Sequence, residues 1–323
     1  MIRVALGFTL AAFLTASSLA VPSAAQTYPD RPVRLIVPFP PGGAADILAR
    51  LLAEGLSKHW DRPVVPDYRP GGGTIVGTDA VARAVPDGYT LGIVVTSFVI
   101  NPGIRQDLPY SMDDFKGVTQ IGEAPIVLLA HPDSPAETID DVVSEARSRP
   151  DQVAYASPGV GTATHMAGEL FARLADIELL HVPYAGLAQA LPDVLGGRVP
   201  LLFDIWHSAR PHVEASSLKV IAVASLGGVP GHPGFESLAE RYPGFSALSI
   251  QGVVAPAGTP EAVIDKVSEG MRAVITSPEF AGRMNELGMR PVGSAPREFE
   301  RFLDTEVERW SRIAKEAGIR IAD

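Results

Sequence analysis

Arg34-Leu35-Ile36-Val37-Pro38-Phe39-Pro40-Pro41-Gly42-Gly43-Ala44-Ala45-Asp46-Ile47-Leu48-Ala49-Arg50-Leu51-Leu52 is the stretch that decides the fold. Leu35 to Val37 form a short β-branched run that reads as a buried strand. Pro38, Pro40 and Pro41 stop it. Gly42 and Gly43 give a backbone free of Cβ, and Ile47, Leu48, Leu51, Leu52 and Leu56 then recur at helical spacing. A loop of this kind aims free N–H groups at the helix N-terminus, where the dipole favours an anion. No Lys or Arg lies between Gly42 and Ala49. An anion held here is held mainly by backbone. Taken alone, the glycine pair reads equally well as a tight turn.

A similar arrangement recurs later. Val153-Ala154-Tyr155-Ala156 reads as a strand, and Ser157-Pro158-Gly159-Val160-Gly161-Thr162-Ala163-Thr164 as a loop. A helix follows with Met166, Leu170, Phe171 and Leu174 on one face. Two such cradles facing each other across a cleft suit a small carboxylate or dicarboxylate.

Strand and helix patterns alternate through most of the chain. Strands are predicted at 33–37, 64–67, 90–95, 126–130, 153–156, 179–182, 199–203, 218–223 and 250–254. Helices are predicted at 44–59, 75–84, 139–147, 165–174, 187–195, 260–275, 278–287 and 296–317. This rhythm argues an α/β fold with mostly parallel sheets, whose ligands sit at the carboxyl ends of strands. After Val254 the pattern is helical, with Pro260, Pro278 and Pro296 near helix starts. A helical tail without its own sheet needs another layer, and the N-terminal domain is the simplest one. The expected division is therefore 26–123 with 251–323 as one domain and 124–250 as the other.

The chain opens with Arg3, an apolar run from Val4 to Leu19 broken by Ser and Thr, and Ser23-Ala24-Ala25. That is the pattern of a signal peptide cut after Ala25, and it places the protein in the periplasm or outside the cell. No later stretch is long and apolar enough to span a bilayer. There is no Cys, which excludes disulfides, thiolate chemistry and a lipid-anchored cysteine. With 27 basic and 37 acidic residues, net charge −10, the chain has no general pull on nucleic acid or anionic lipid.

Arg69-Pro70-Gly71-Gly72-Gly73 lacks the Gly-Lys-Ser/Thr ending of a phosphate loop, so it reads as a loop bringing a helix start near the cleft. The seven histidines show no metal-ligand spacing, and His165 at a helix start reads as a cap or a loop partner. Neither a metal nor a cofactor is expected. Asp204, at the end of Leu201-Leu202-Phe203-Asp204, either accepts a hydrogen bond from a ligand or caps the next turn. Ser157, His165 and Asp204 invite a hydrolase reading, against which no G-x-S-x-G elbow is present and Pro158 removes an N–H after the serine. The chain is read as a binding protein rather than an enzyme.

The chain resembles the Bug-type (tripartite tricarboxylate transporter) substrate-binding proteins. The resemblance is carried in order by Tyr28-Pro29-Asp30-Arg31-Pro32 through Gly43, Arg69-Pro70-Gly71-Gly72-Gly73, Pro86-Asp87-Gly88-Tyr89, His165-Met166-Ala167-Gly168-Glu169-Leu170-Phe171, His181-Val182-Pro183-Tyr184, Leu195-Gly196-Gly197-Arg198 and Ala255-Pro256-Ala257-Gly258-Thr259-Pro260. It implies a periplasmic-binding-protein type II fold, two α/β domains joined by a two-strand hinge with a ligand cleft between them. It also implies capture of a di- or tricarboxylate or an aromatic acid and delivery to membrane subunits of a transporter. The same fold serving as the ligand sensor of a membrane receptor kinase is the alternative. A monomer suits delivery.

Carried over, the carboxylate site comprises Phe39, Pro40, Gly42, Gly43, Ala44 and Ala45 on one side, and Ser157, Gly161, Thr162, Ala163 and Thr164 on the other. Thr96, Ser97 and Phe98 form a third wall, and Tyr184, Ala185 and Asp204 a fourth. Many relatives carry Gly-Thr-Asp at Ala44-Ala45-Asp46, Asn at Ile75, and Tyr-Lys-Gly-Ser at Tyr184-Ala185-Gly186-Leu187. Each difference makes the region less polar, which favours a ligand with an apolar or aromatic body.

Overall fold

The computed structural model describes residues 28–42, 44–229 and 232–320. The leader with its cut after Ala25, and Gly43 of the first loop, lie outside the described residues. β1 (Val33–Val37) runs into α1 (Ala44–Trp60) as the opening segment predicts. β2 (Val64–Tyr68) lies parallel on one side of β1. α2 (Ile75–Ala82) then leads to β3 (Thr90–Val95), parallel on the other side. Leu48, Leu52 and Leu56 of α1 are buried in the core that holds Val33, Leu35 and Val37. Those three leucines are one face of a 3.6-residue period.

α3 (Ser97–Ile104) follows β3, and β4 (Phe115–Ala130) then runs for 16 residues, about 50 Å at ~3.3 Å per residue. The second lobe is built from α4 (Ile139–Ser148), β5 (Ala154–Ser157), α5 (Ala163–Ala175), β6 (Leu180–Pro183), α6 (Leu187–Leu195), β7 (Leu201–Ile205), α7 (Trp206–Glu214), β8 (Lys219–Val223) and α8 (Leu238–Arg241). β9 (Leu248–Pro256) returns to the first lobe. α9 (Glu261–Ile275), α10 (Pro278–Glu286), the short β10 (Arg290–Pro291) and α11 (Pro296–Glu316) complete the chain.

The strand order is β2-β1-β3-β9-β4-β7-β5-β6, with β8 and β10 also paired to β4. The expectation of mostly parallel sheets needs correction. Parallel pairs are confined to β1 with β2 and β3, and β5 with β6 and β7. The centre is antiparallel: β9 pairs with β3 and β4, and β4 with β7 and β8. The cause is the route of the chain. β4 leaves the first lobe and β9 comes back, so the two crossing strands run opposite ways, with Gly122 against Gln251 and Glu123 against Ile250.

The C-terminal helices cover the sheet of the first lobe. Gly270 of α9 lies against Trp60 of α1, and Gly55 of α1 against Val274. α11 buries Phe299, Leu303 and Trp310. Its last turn reaches the second lobe, where Glu316 pairs with Arg173 of α5.

Candidate ligand-binding site

A cavity of about 470 Å³ lies between the lobes. Its first wall is Phe39, Pro40, Pro41, Ala45 and Leu48, from the β1–α1 connection. Pro158, Val160, Gly161, Thr162, Ala163 and Thr164 of the β5–α5 connection face it. Thr74, Thr96, Ser97, Asn101 and Arg105 form a third side. Ser249 and Gln251 of β9, Ile205 and His207 at the β7–α7 junction, and Met289 form the floor. Arg105 supplies a cationic side chain, and no Asp or Glu lines the cavity among the described residues. A larger concavity, about 760 Å³, lies over β1 and β2, but its charges pair with each other, Arg31 with Asp87 at 2.7 Å and Arg34 with Asp67 at 3.8 Å.

The loop before α1 is held by Asp46, which is 6 % exposed. Its carboxylate accepts hydrogen bonds from Tyr68 Oη, the Gly42 N–H at 2.9 Å and Arg50 Nε at 2.7 Å. The Tyr68 hydroxyl first, then the Gly42 N–H and the Arg50 guanidinium, hold this carboxyl below the usual range. Gly42, at φ +101°, is thus a turn whose N–H is already paired within the loop.

The opposite loop is tied down in the same manner. Gly161 N–H donates to His165 Nδ1 at 3.2 Å, and Thr162 N–H to Gly159 O at 3.3 Å. Thr162 Oγ1 caps α5 by accepting from His165 N–H at 3.2 Å. Intrahelical bonding does not reach the N–H groups of the first turn. Ala163 and Thr164 carry the next two, and both residues line the cavity.

On the third side, Thr96 Oγ1 accepts from Ile250 N–H at 2.9 Å and so fixes the start of α3 to β9. Ser97 Oγ meets Thr74 Oγ1 at 2.9 Å. Thr74 has φ +83°, an outlier for a β-branched residue that costs about 1–3 kcal/mol and is typical of functional sites. The Arg69–Gly73 loop does bring a helix start to the cleft: Gly73 and Thr74 line the cavity just ahead of α2.

Of the residues singled out from sequence, Phe39, Pro40, Ala45, Thr96, Ser97, Gly161, Thr162, Ala163 and Thr164 line the cavity. Gly42 forms the turn ahead of α1, Gly43 and the side chain of Ala44 lie outside what is described, and the remaining residues are placed elsewhere. Phe98 is 1 % exposed and packs edge-on against Phe115. Ser157 is fully buried, with Oγ 2.7 Å from His181 Nε2. Tyr184 donates to Asp193 at 2.7 Å beside α6, and its neighbour Ala185 is exposed. Asp204 is buried and turned into α7, accepting from Ile205 N–H at 2.8 Å and Ser208 Oγ at 2.7 Å. Its hydrogen bonds are local, to the junction with α7 and to the helix itself. Ser157, His165 and Asp204 do not assemble, because His165 bonds the Gly161 N–H and Asp204 bonds Ser208.

Thr74, Asn101, Arg105, His207, Ser249, Gln251 and Met289 also line the cavity, beyond the residues singled out from sequence. Ser249 and Gln251 left a signal. They are polar residues two apart on one face of an otherwise apolar strand. Gln251 Nε2 donates to Ser249 Oγ at 3.1 Å. Gln251 Oε1 and His207 Nδ1 are enclosed without a partner among the described residues.

Burial pushes Asp204 up to about 7, and pushes His165 down to about 3 and His181 to about 4. The folded state keeps the Asp204 proton to about pH 7, whereas the unfolded chain releases it near pH 4, so this group lowers stability as pH rises between those values. Asp204→Asn is therefore expected to be more stable than wild type at pH 8, with the gain vanishing below pH 4. The histidines act in the opposite sense. The unfolded chain binds their protons below about pH 6.5 and the folded chain does not, so acidification from 6.5 toward 4 removes stability. Urea midpoints across pH check both, and His181→Gln should flatten the acid limb.

Two α/β lobes, two crossing strands and a cleft between helix N-termini define a periplasmic-binding-protein fold with a candidate small-molecule site. The sequence model described as "Tripartite tricarboxylate transporter family receptor" matches residues 48–319. The chain belongs to that family, whose members are periplasmic solute-binding proteins. It is 31 % identical over 313 residues to Protein BugT of Bordetella pertussis, covering 96 % of each chain. It is similar to the structure of R. palustris Rpa4515 with adipate, with TM-score 0.80 and 32 % identity over 91 % of this chain and 99 % of that one. MatC from Rhodopseudomonas palustris with bound malate gives TM-score 0.76 and 27 % identity over 88 % and 99 %. No helix among the described residues is long and apolar enough to cross a membrane.

Proposed function

We propose that this protein captures a small carboxylate with an apolar body in the periplasm and delivers it to the membrane subunits of a tripartite tricarboxylate transporter. The observation that carries the reading is the cavity between the lobes, which opens on the N-terminus of α5 and has Arg105 but no Asp or Glu in its lining. One carboxylate is held by the Ala163 and Thr164 N–H groups, with the helix dipole behind them. The body lies against Phe39, Leu48, Ile205 and Met289. Relatives described with adipate and with malate support a carboxylate ligand. The lobes, 26–123 with 251–323 and 124–250, close on the ligand by bending β4 and β9 where Gly122 opposes Gln251. The leader 1–25 is removed on export.

Thermal unfolding of the purified protein against aliphatic diacids, amino acids, nicotinate, benzoates and phthalates tests the reading. A ligand that binds only the folded state raises the melting temperature by mass action. The expected result is a shift of several degrees for one acid, recovered chemically intact. Recovery of a transformed acid, or no shift with any, contradicts it.

A further inference from the structure

We propose that His165 is the positioning residue of the site: its imidazole Nδ1 holds the Gly161 N–H inward, and this sets the Ala163 and Thr164 N–H groups in place for the ligand. The proposal rests on the carboxylate reading above.

His165 is the third residue of α5, in its first turn, and is 3 % exposed. Its backbone N–H donates to Thr162 Oγ1 at 3.2 Å, and its ring returns an acceptor to the Gly161 N–H at 3.2 Å. The loop and the first helical turn are thus locked reciprocally, as in a capping box, but with a ring in place of a carboxylate. Gly161 adopts φ +78°, which lets its N–H turn toward the ring.

A layer of buried and half-buried side chains backs the ring. His181 of β6 stacks on it at 4.0 Å between centroids and is itself fixed by Ser157 Oγ at 2.7 Å. Tyr155 of β5 stacks on His181 at 4.9 Å, and its hydroxyl donates to Glu169 Oε1 at 2.6 Å. Glu169, on the next turn of α5, lies 3.7 Å from His165 Nε2 and favours the proton on that nitrogen. Nδ1 is left free to accept. These are the titratable groups that face the ring from its own helix and from β5 and β6. None of them lines the cavity, which gives a reason for a buried histidine backed by a half-buried histidine and glutamate under this loop. Burial keeps the ring neutral, so the acceptor persists from pH 8 down to pH 5.

Titration with adipate and malate, paired with nitrogen-15 spectra of the histidine rings and of the Gly161 amide, tests the proposal. Wild type should show an unprotonated Nδ1 that accepts a hydrogen bond, and flat affinity from pH 8 to pH 5. His165→Leu should weaken acid binding about 10-fold to 100-fold, the scale of leaving a buried N–H without its acceptor. His165→Asn, whose Oδ1 falls near the Nδ1 position, should restore most of it. Equal binding by wild type and His165→Leu, or a protonated Nδ1 in wild type, overturns the positioning role while leaving the carboxylate reading intact. Failure of wild type to bind any acid of the thermal panel overturns both. If His165→Leu does not fold, the ring spectra of wild type and the Asn variant decide.

Discussion

Gly161→Val is expected to weaken binding of the acid that wild type takes up by about 100-fold. The residue sits at φ +78°, where a β-branched side chain is a strong outlier. Its N–H is paired to His165, and the next residue caps α5. The loop has two options. It keeps its path and carries about 1–3 kcal/mol of strain, or it relaxes and moves the first turn of α5. Relaxation costs affinity because the N–H groups of Ala163 and Thr164 lose their aim. On the scale of ~1.4 kcal/mol per factor of ten, loss of one charge-assisted hydrogen bond plus the strain gives about 100-fold. Gly161→Ala should fall between the two. Calorimetric dissociation constants, with melting curves as a control for folding, check this. A constant within about twofold of wild type would show that the loop does not hold the ligand.

The largest loss of stability is expected from Gly252→Val. Gly252 lies on β9, paired with Val94 of β3 on one side and Gln120 of β4 on the other. Its backbone cannot retreat without breaking ladder bonds on both edges. A Cβ here would lie 2.1 Å from Phe299 Cζ and 2.9 Å from Cε1, and the Phe299 ring is fully buried. Overpacking of this kind costs about 1–3 kcal/mol when neighbours give way, and more when they do not. With the strand clamped, a loss of about 3 kcal/mol or more in urea unfolding is expected. Phe299→Ala alone should cost about 3–5 kcal/mol through the cavity it leaves. The double variant should lose less than the sum, because the added methyls occupy that space. Strict additivity would contradict the contact.

Much of this architecture was legible because local chemistry and tertiary role agree. β1, α1 and their loop follow from three apolar residues, three prolines and a 3.6-residue period, none of which depends on distant neighbours. β4 shows the opposite case. Only 126–130 reads as strand, yet the strand begins at Phe115. Register shifts at Gly117/Thr119 and Gln120/Gly122 put Val118, Ile121 and Ala124 in the core at a spacing of three, which hides the two-residue period. α3 and α7 were concealed by Pro102 and Pro211 within them.

The site divides along the same line. The two loop-to-helix junctions carry glycines and small polar residues that announce themselves. Gln251 and His207 reach the cavity only because β4 and β9 cross and α7 starts where β7 ends. Those are facts of topology, not of local sequence. Asp46 marks the limit of motif reading. It resembles an ordinary first-turn acid, and only the fold shows that it pairs the Gly42 N–H within the loop.

Isothermal titration of wild type and Ala45→Trp with adipate, malate and whichever acid gives the largest thermal shift tests the central claim most directly. Ala45 is half-buried on the first turn of α1 and lines the cavity, so an indole there occupies the space the ligand needs. The account predicts saturable binding at one site per chain in wild type and none in the variant, with both proteins folded. Undiminished binding in Ala45→Trp, or no binding of any acid by folded wild type, would contradict it.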